Sequence, residues 1–232
     1  MKPVAIIPAR GGSKRLPRKN ALPILGRPIL SYPVRTALES GLFEQVIVST
    51  EDHEIARIGG AEGARVMERP EDLASDSSTV VEVCLHVLDS LERENSLPTH
   101  FCCIYATALL IQPEDLRKSY GLLKEKPECD FVMGVSEYGL QPVQALIEKD
   151  NFLAYMWPEY KGLKSQDYPR LLCSNGTLYW ANTAVFKSTR SFYAKRLRGH
   201  LIPQGRAVDI DTQEDYEIAK IFASHFLISR EK

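Results

Sequence analysis

Between Arg10 and Lys19 the chain carries five Lys and Arg residues, reached from the apolar run Val4 to Pro8 through the pair Gly11 and Gly12. Backbone N–H groups freed at a glycine pair, with dense positive charge beside them, suit the phosphates of a nucleotide. Two common phosphate-binding designs do not fit. A Walker loop needs Gly-Lys-Ser/Thr opening a helix, whereas here Ser13 precedes Lys14 and Pro17 follows three residues on. The dinucleotide pattern of spaced glycines is absent as well. What remains is a Gly-started basic loop able to lie along a triphosphate, with Arg10, Lys14 and Lys19 for the phosphates and Ser13 for a hydroxyl contact. On composition alone, a solvated basic turn is the alternative.

Such a loop needs a scaffold, and the composition bounds it. A chain of 232 residues that is 44% hydrophobic can bury one sizeable core, with a small excursion. Basic and acidic residues balance at 29 to 30, so the surface as a whole offers nothing to a nucleic-acid polymer. The chain opens on a strand-like run, and no apolar stretch reaches the roughly 18 residues of a membrane span, so neither signal peptide nor membrane helix is expected. A cytoplasmic protein is the expectation. Five cysteines, without CxxC or a Cys/His cluster, read as reduced and mostly buried.

Apolar runs bounded by turn residues alternate with helical spacing, the pattern of a mostly parallel α/β sheet covered on both faces. Strands are expected at residues 4–8, 45–49, 64–67, 101–105, 131–136 and 178–181, with edge pieces at 201–203 and 207–210. Helices are expected from Pro28 to Ser40 with Gly41 as the stop, from Asp52 to Gly59-Gly60, and over 79–93, 113–124 and 212–228. From about 137 to 170 the runs shorten, as at Val143 to Ile147, and Tyr155, Trp157 and Tyr160 are scattered among them. This reads as a lobe inserted in a single domain of 1–232, pairing with a second subunit to make a homodimer or closing over a substrate.

The segment from Ile7 to Asn20 resembles the N-terminal signature of the cytidylyltransferases that activate nine-carbon ulosonic acids, the CMP-sialic acid synthetase family. Val48 to Asp52, Arg69-Pro70 with Leu73 to Asp76, Asn175-Gly176 with Tyr179, and Val208 to Thr212 follow in the family's order, across nearly the whole chain. The resemblance implies a Rossmann-like nucleotidyltransferase fold and transfer of CMP from CTP to the sugar's anomeric hydroxyl, releasing pyrophosphate. It also implies that Arg10, Gly11, Gly12, Ser13, Lys14, Lys19 and Asn20 hold CTP, with Lys19 acting in catalysis, and that Arg69, Ser78 and Thr79 assist. Asp209 and Asp211, at i and i+2 on an extended segment, direct both carboxylates to one side, as a hard cation requires. Mg²⁺ is the implied ion; a helix N-cap is the other reading of the isolated triplet.

Within the family, Cys102 to Ala108, Ser165-Gln166-Asp167 and Tyr179-Trp180 resemble a subgroup acting on pseudaminic acid. Tyr105 stands where sialic acid enzymes use Gln. Two features depart from the subgroup, Leu109 in place of Pro and Ser174-Asn175-Gly176-Thr177 in place of an Ala-Gly-Gln stretch. Gln166, Asn175 and Tyr179 are the candidate sugar contacts. CMP-N-acetylneuraminate or CMP-legionaminate synthesis on the same scaffold is the near alternative, and a non-catalytic nucleotide- or sugar-binding protein the alternative of another class.

Overall fold

In the computed structural model, which describes residues 2–75, 77–125 and 129–228, the apolar run forms β1 (Val4–Pro8). The basic loop after it ends in a 3-10 turn at Lys19–Ala21 and a short hairpin, β2 (Pro23–Ile24) and β3 (Arg27–Pro28). That hairpin takes up Pro28, so α1 (Ser31–Glu39) begins three residues later than the spacing predicts; it stops before Gly41, whose φ of 67° suits glycine.

β4 (Gln45–Thr50) leads into α2 (His53–Ala61), capped by Asp52, which accepts from the N–H groups of Glu54 and Ile55 at 3.0 Å each. The expected stop at Gly59-Gly60 is not a stop. A Cβ on Gly59 would stand 3.0 Å from Val48 Cγ2, so this glycine lets α2 close onto β4.

After β5 (Arg65–Glu68), Thr79 and Glu82 form a capping box that starts α3 (Val80–Arg93). Then come β6 (His100–Ile104), α4 (Pro113–Glu125) and β7 (Phe131–Glu137). A separate hairpin follows, β8 (Leu146–Lys149) with β9 (Phe152–Tyr155), so Val143 to Ile147 straddles a 3-10 turn and the start of a strand. β10 (Leu172–Asn182), α5 (Thr183–Thr189), β11 (Leu197–Leu201) and α6 (Gln213–Ile228) complete the chain. Of the edge piece expected at 201–203 only Leu201 belongs to β11, which lies earlier in the chain than the spacing predicts, and 207–210 joins no strand.

Seven strands form one sheet in the order β11-β7-β10-β6-β1-β4-β5. Only β10 among them runs antiparallel to its neighbours, which makes a mostly parallel, Rossmann-like sheet. Alternation along β6 sends Cys102 and Ile104 to one face and Phe101 and Cys103 to the other, all fully buried. On the first face Trp180 stacks between Phe43 and Tyr120 and donates to Ser119 Oγ at 2.9 Å. A third cluster lies under α6. It buries Leu16 of the basic loop and Ile210 from between the two aspartates.

Candidate active site

At the carboxyl ends of β1, β5 and β6 a cavity of about 350 Å³ opens, where doubly wound sheets take ligands. Arg10, Lys19, Asn20, Arg69, Asp209 and Asp211 are on its wall, with Ser78 and Tyr105. Residues from five separate stretches of sequence thus meet at one place.

The basic loop is shaped by acids that follow β4. Gly11 N–H donates to Glu51 Oε1 at 2.7 Å, and Arg18 makes a two-pronged pair with Asp52 and a further one with Glu54. A Cβ on Gly11 would run into the Asp52 side chain, so glycine is required there for close approach. Asn20 Nδ2 donates to Arg10 O at 3.0 Å and closes the loop on itself. Of the residues assigned to CTP, Arg10, Lys19 and Asn20 line the cavity. Gly11, Gly12, Ser13 and Lys14 do not line it; they belong to the rim of the same loop.

Arg69 is 5% exposed, with Nη2 donating to Ser49 O at 2.7 Å. Its Nε, Asn20 Oδ1, Ser49 Oγ and Glu51 Oε2 are buried and have no hydrogen-bond partner among the described residues. An orphaned polar atom costs about 1–3 kcal/mol, and two of these residues, Asn20 and Arg69, are on the cavity wall. Ser78 reaches the wall, whereas the hydroxyl of Thr79 is engaged with Glu82 as a cap. Asp76 lies outside the described residues.

Ile210 is fully buried, and the period of two therefore turns Asp209 and Asp211 together toward the cavity. Asp211 accepts from Lys19 Nζ at 2.8 Å and from Arg15 Nη2 at 2.6 Å. Burial opposes its charge, but those two cations outweigh burial and hold its carboxyl below the usual range. Asp209 accepts no hydrogen bond among the described residues. Partial burial and then the charge of Asp211 push its carboxyl up. The N-cap reading of this triplet does not hold, because Thr212 is the cap: its Oγ1 accepts from Asp215 N–H at 3.2 Å, while the Asp215 carboxylate accepts in return from the N–H groups of Thr212 and Asp211.

Two further chambers adjoin the cavity. One, of about 220 Å³, lies beyond Tyr105 and Val80 and is walled by Tyr179, Arg190, Ser191 and Phe192. Tyr179 hydroxyl meets Ser174 Oγ at 2.6 Å, its ring leans on Tyr105, and burial pushes both phenols up, so they stay protonated. The other, of about 550 Å³, shares Asp209 with the main cavity and is lined by Asn175, Ser136 and Gln204. Gln166 lines neither chamber; it is exposed in the 3-10 turn Ser165–Asp167. Sequence reasoning missed Arg15, Glu51 and Arg190. Glu51 carried a signal, since it stands beside a predicted helix cap at a strand end; the contact from Arg15 to Asp211 spans 196 residues and has no local one.

The model of the cytidylyltransferase family matches residues 4–232. This chain belongs to that family. The cytidylyltransferase is 33% identical over 224 residues to the pseudaminic acid cytidylyltransferase of Campylobacter jejuni, covering 95% of this chain and 96% of that one. It is 30% identical over 220 residues to the N-acylneuraminate cytidylyltransferase of Escherichia coli, covering 94% of this chain and 51% of that one. Among solved structures, CMP:2-keto-3-deoxy-manno-octonic acid synthetase complexed with CTP superposes on the cytidylyltransferase with a TM-score of 0.73 over 100% of both chains at 18% identity, which shows a shared fold. None of the described helices is long and apolar enough to cross a membrane.

Proposed function

We propose that this cytidylyltransferase transfers CMP from CTP to the anomeric hydroxyl of a nine-carbon ulosonic acid, pseudaminic acid first among them, and releases pyrophosphate. The observation that carries the reading is the meeting of Arg10, Lys19 and Arg69 with Asp209 and Asp211 on one cavity. Three cations suit a triphosphate, and two carboxylates aimed the same way suit the divalent ion that accompanies it.

The donor set fits Mg²⁺. Among the described residues Asp209 has no hydrogen bond, and its charge is disfavoured by burial and by Asp211, two penalties a cation relieves together. Among the described residues no third Asp, Glu, His or Cys completes a site with them, and Mg²⁺ commonly takes its other ligands from water and substrate phosphates. When bound, the ion supplies Lewis acidity at the phosphate and lowers the pKa of a coordinated hydroxyl. Arg10 and Lys19, with Lys14 and Ser13 on the loop rim, bind the triphosphate and offset the charge that moves to the departing pyrophosphate. Arg69 adds its charge from the wall of the same cavity, and Asn20 closes the loop beside it by donating to Arg10 O.

An ulosonic acid brings a carboxylate and acylamino groups. The chamber beyond Tyr105 answers them with Arg190, Ser191 and Tyr179 beside apolar Val80, Val81 and Phe192. Pseudaminic acid is placed first because the 33% identical relative is named for it and matches end to end. We also place the protein in the cytoplasm, where CTP is made and thiols such as its five free cysteines stay reduced.

The test is pyrophosphate release from CTP and Mg²⁺ with pseudaminic, N-acetylneuraminic and legionaminic acids in turn. Release with pseudaminic acid at a kcat/KM roughly 100-fold or more above the others is the expected result, since a polar pocket left unmatched discriminates strongly. Release with N-acetylneuraminic acid alone would move the assignment to the sialic acid branch, and no release with any of them would leave a binding protein.

A further inference from the structure

Three residues before Asp209, the Arg206 side chain reaches out of the 3-10 turn Gln204–Arg206 into a buried polar cluster. Its Nη1 donates to Asp115 Oδ2 at 2.5 Å and its Nη2 to Asp115 Oδ1 at 3.1 Å, a two-pronged geometry that Lys cannot copy. Nη1 also reaches Leu110 O at 3.4 Å. Asp115 accepts in addition from Gln112 N–H at 2.8 Å, and His200 Nε2 of β11 lies 3.3 Å from its Oδ1. The side chains of Asp115, His200 and Arg206 are only 9%, 11% and 13% exposed.

A pair this dry gains little net stability over apolar packing, so its use at this point calls for a positional reason. The cluster supplies one. Leu110 and Gln112 belong to the stretch that leaves β6 through Tyr105 to Thr107, one wall of the main cavity; Arg206 begins the segment that carries the facing carboxylates. Past Arg206, residues 207–211 belong to no helix or strand. Asp211 has restraints of its own, from Lys19, from Arg15 and from the Asp215 carboxylate that accepts from its N–H. Asp209 has no hydrogen bond among the described residues, and its place is set by the backbone: Val208 and Ile210 on either side of it pack under α6, and Arg206 anchors the start of the segment.

We propose that Arg206, locked by Asp115 and His200, is a positioning residue for Asp209, tying the carboxylate segment to the opposite wall of the cavity. The proposal rests on the reading of Asp209 as a cation ligand.

The full-length chain and its Arg206→Lys, Asp209→Asn and doubly substituted forms test it by Mn²⁺ titration in the presence of CTP, read by electron paramagnetic resonance, which needs no sugar. Arg206→Lys should weaken Mn²⁺ binding roughly tenfold, the usual effect of losing a group that orients a ligand, while CTP affinity without metal stays within about twofold. Asp209→Asn should weaken it at least as much, and adding Arg206→Lys to Asp209→Asn should cost nothing more. If Arg206→Lys lacks the wild-type circular dichroism, Asp115→Asn stands in with the same expectation. Equal further loss in the double variant, or wild-type Mn²⁺ affinity in Arg206→Lys, overturns the positioning role. Wild-type affinity in Asp209→Asn instead overturns the reading of Asp209.

Discussion

The basic loop and the hairpin of β8 with β9 are both excursions from the same sheet, yet they treat their side chains in opposite ways. The loop buries Leu16 and Asn20 at 4% exposure each and ties its backbone to Glu51 and its guanidinium to Asp52. The hairpin is exposed along both strands, with Phe152 at 78% and Leu153 at 67%, and Leu140 just before it at 87%. The loop has its partners within one chain. Among the described residues nothing covers the apolar side chains of the hairpin, and exposed apolar surface of this kind suits contact with another molecule.

The sharpest way to break the self-contained half is to remove its two carboxylates. Asp209→Ala with Asp211→Ala should lower pyrophosphate release on the order of 10⁴-fold, about 5.4 kcal/mol of transition-state stabilisation. Folding should survive, because Ile210 keeps its place under α6. A folded double variant that still turns over CTP would show that the aspartates are not the cation site.

A smaller effect is expected where the loop is latched. Asp52 caps α2 and pairs with Arg18, so Asp52→Ala should cost about 1–2 kcal/mol in urea unfolding, the range for a lost cap. The pair also leaves a pH signature. The Arg18 guanidinium, working against burial, holds the Asp52 carboxyl down at about 2, below its value in the unfolded chain. A depressed carboxyl stabilises the fold above the unfolded pKa of about 3.9 and loses that contribution as pH falls toward 2. The variant should therefore lose less stability than the wild type between pH 4 and 2. An unchanged slope would mean that the latch is open in solution.

The two halves also differed in how far they could be read from sequence. Asp52 was legible because a cap and its helix are neighbours in the chain, and the apolar strands were legible because a parallel sheet buried on both faces leaves unbroken runs, whereas Thr79, read as the first helical residue, is the cap of α3. Gly59-Gly60 misled, since a glycine that lets a helix approach a strand looks the same as one that ends a helix. The stretch 207–210 misled for a related reason: Val208 and Ile210 pack against α6 in an extended segment that pairs with no strand. Of the site, residue types and short spacing brought out the loop cations and the Asp-x-Asp pair as candidates, and the resemblance to the family favoured them over a solvated turn and a helix cap. Arg190 and the link from Arg206 to Asp115, 91 residues apart, could not, because only the folded topology brings them to their places.

The least effect on the fold itself is expected in the hairpin, where the contrast can be sharpened most. Phe152 and Leu153 support no core, so Phe152→Asp with Leu153→Asp should leave the unfolding free energy of the dilute chain within about 0.5 kcal/mol, as for other surface changes. We propose that this hairpin, with Phe152 and Ile147 on one face, Leu153 and Leu146 on the other, and Met156 at its end, joins two copies of the chain as a homodimer. Light scattering should then report the mass of two chains for the wild type and of one for the variant. Coupling between association and folding should make the wild-type Tm rise with protein concentration, and the substitutions should abolish that rise. A wild type that remains monomeric at high micromolar concentration would remove the second copy as the partner, and the exposed aromatics would then be free to close over a bound sugar.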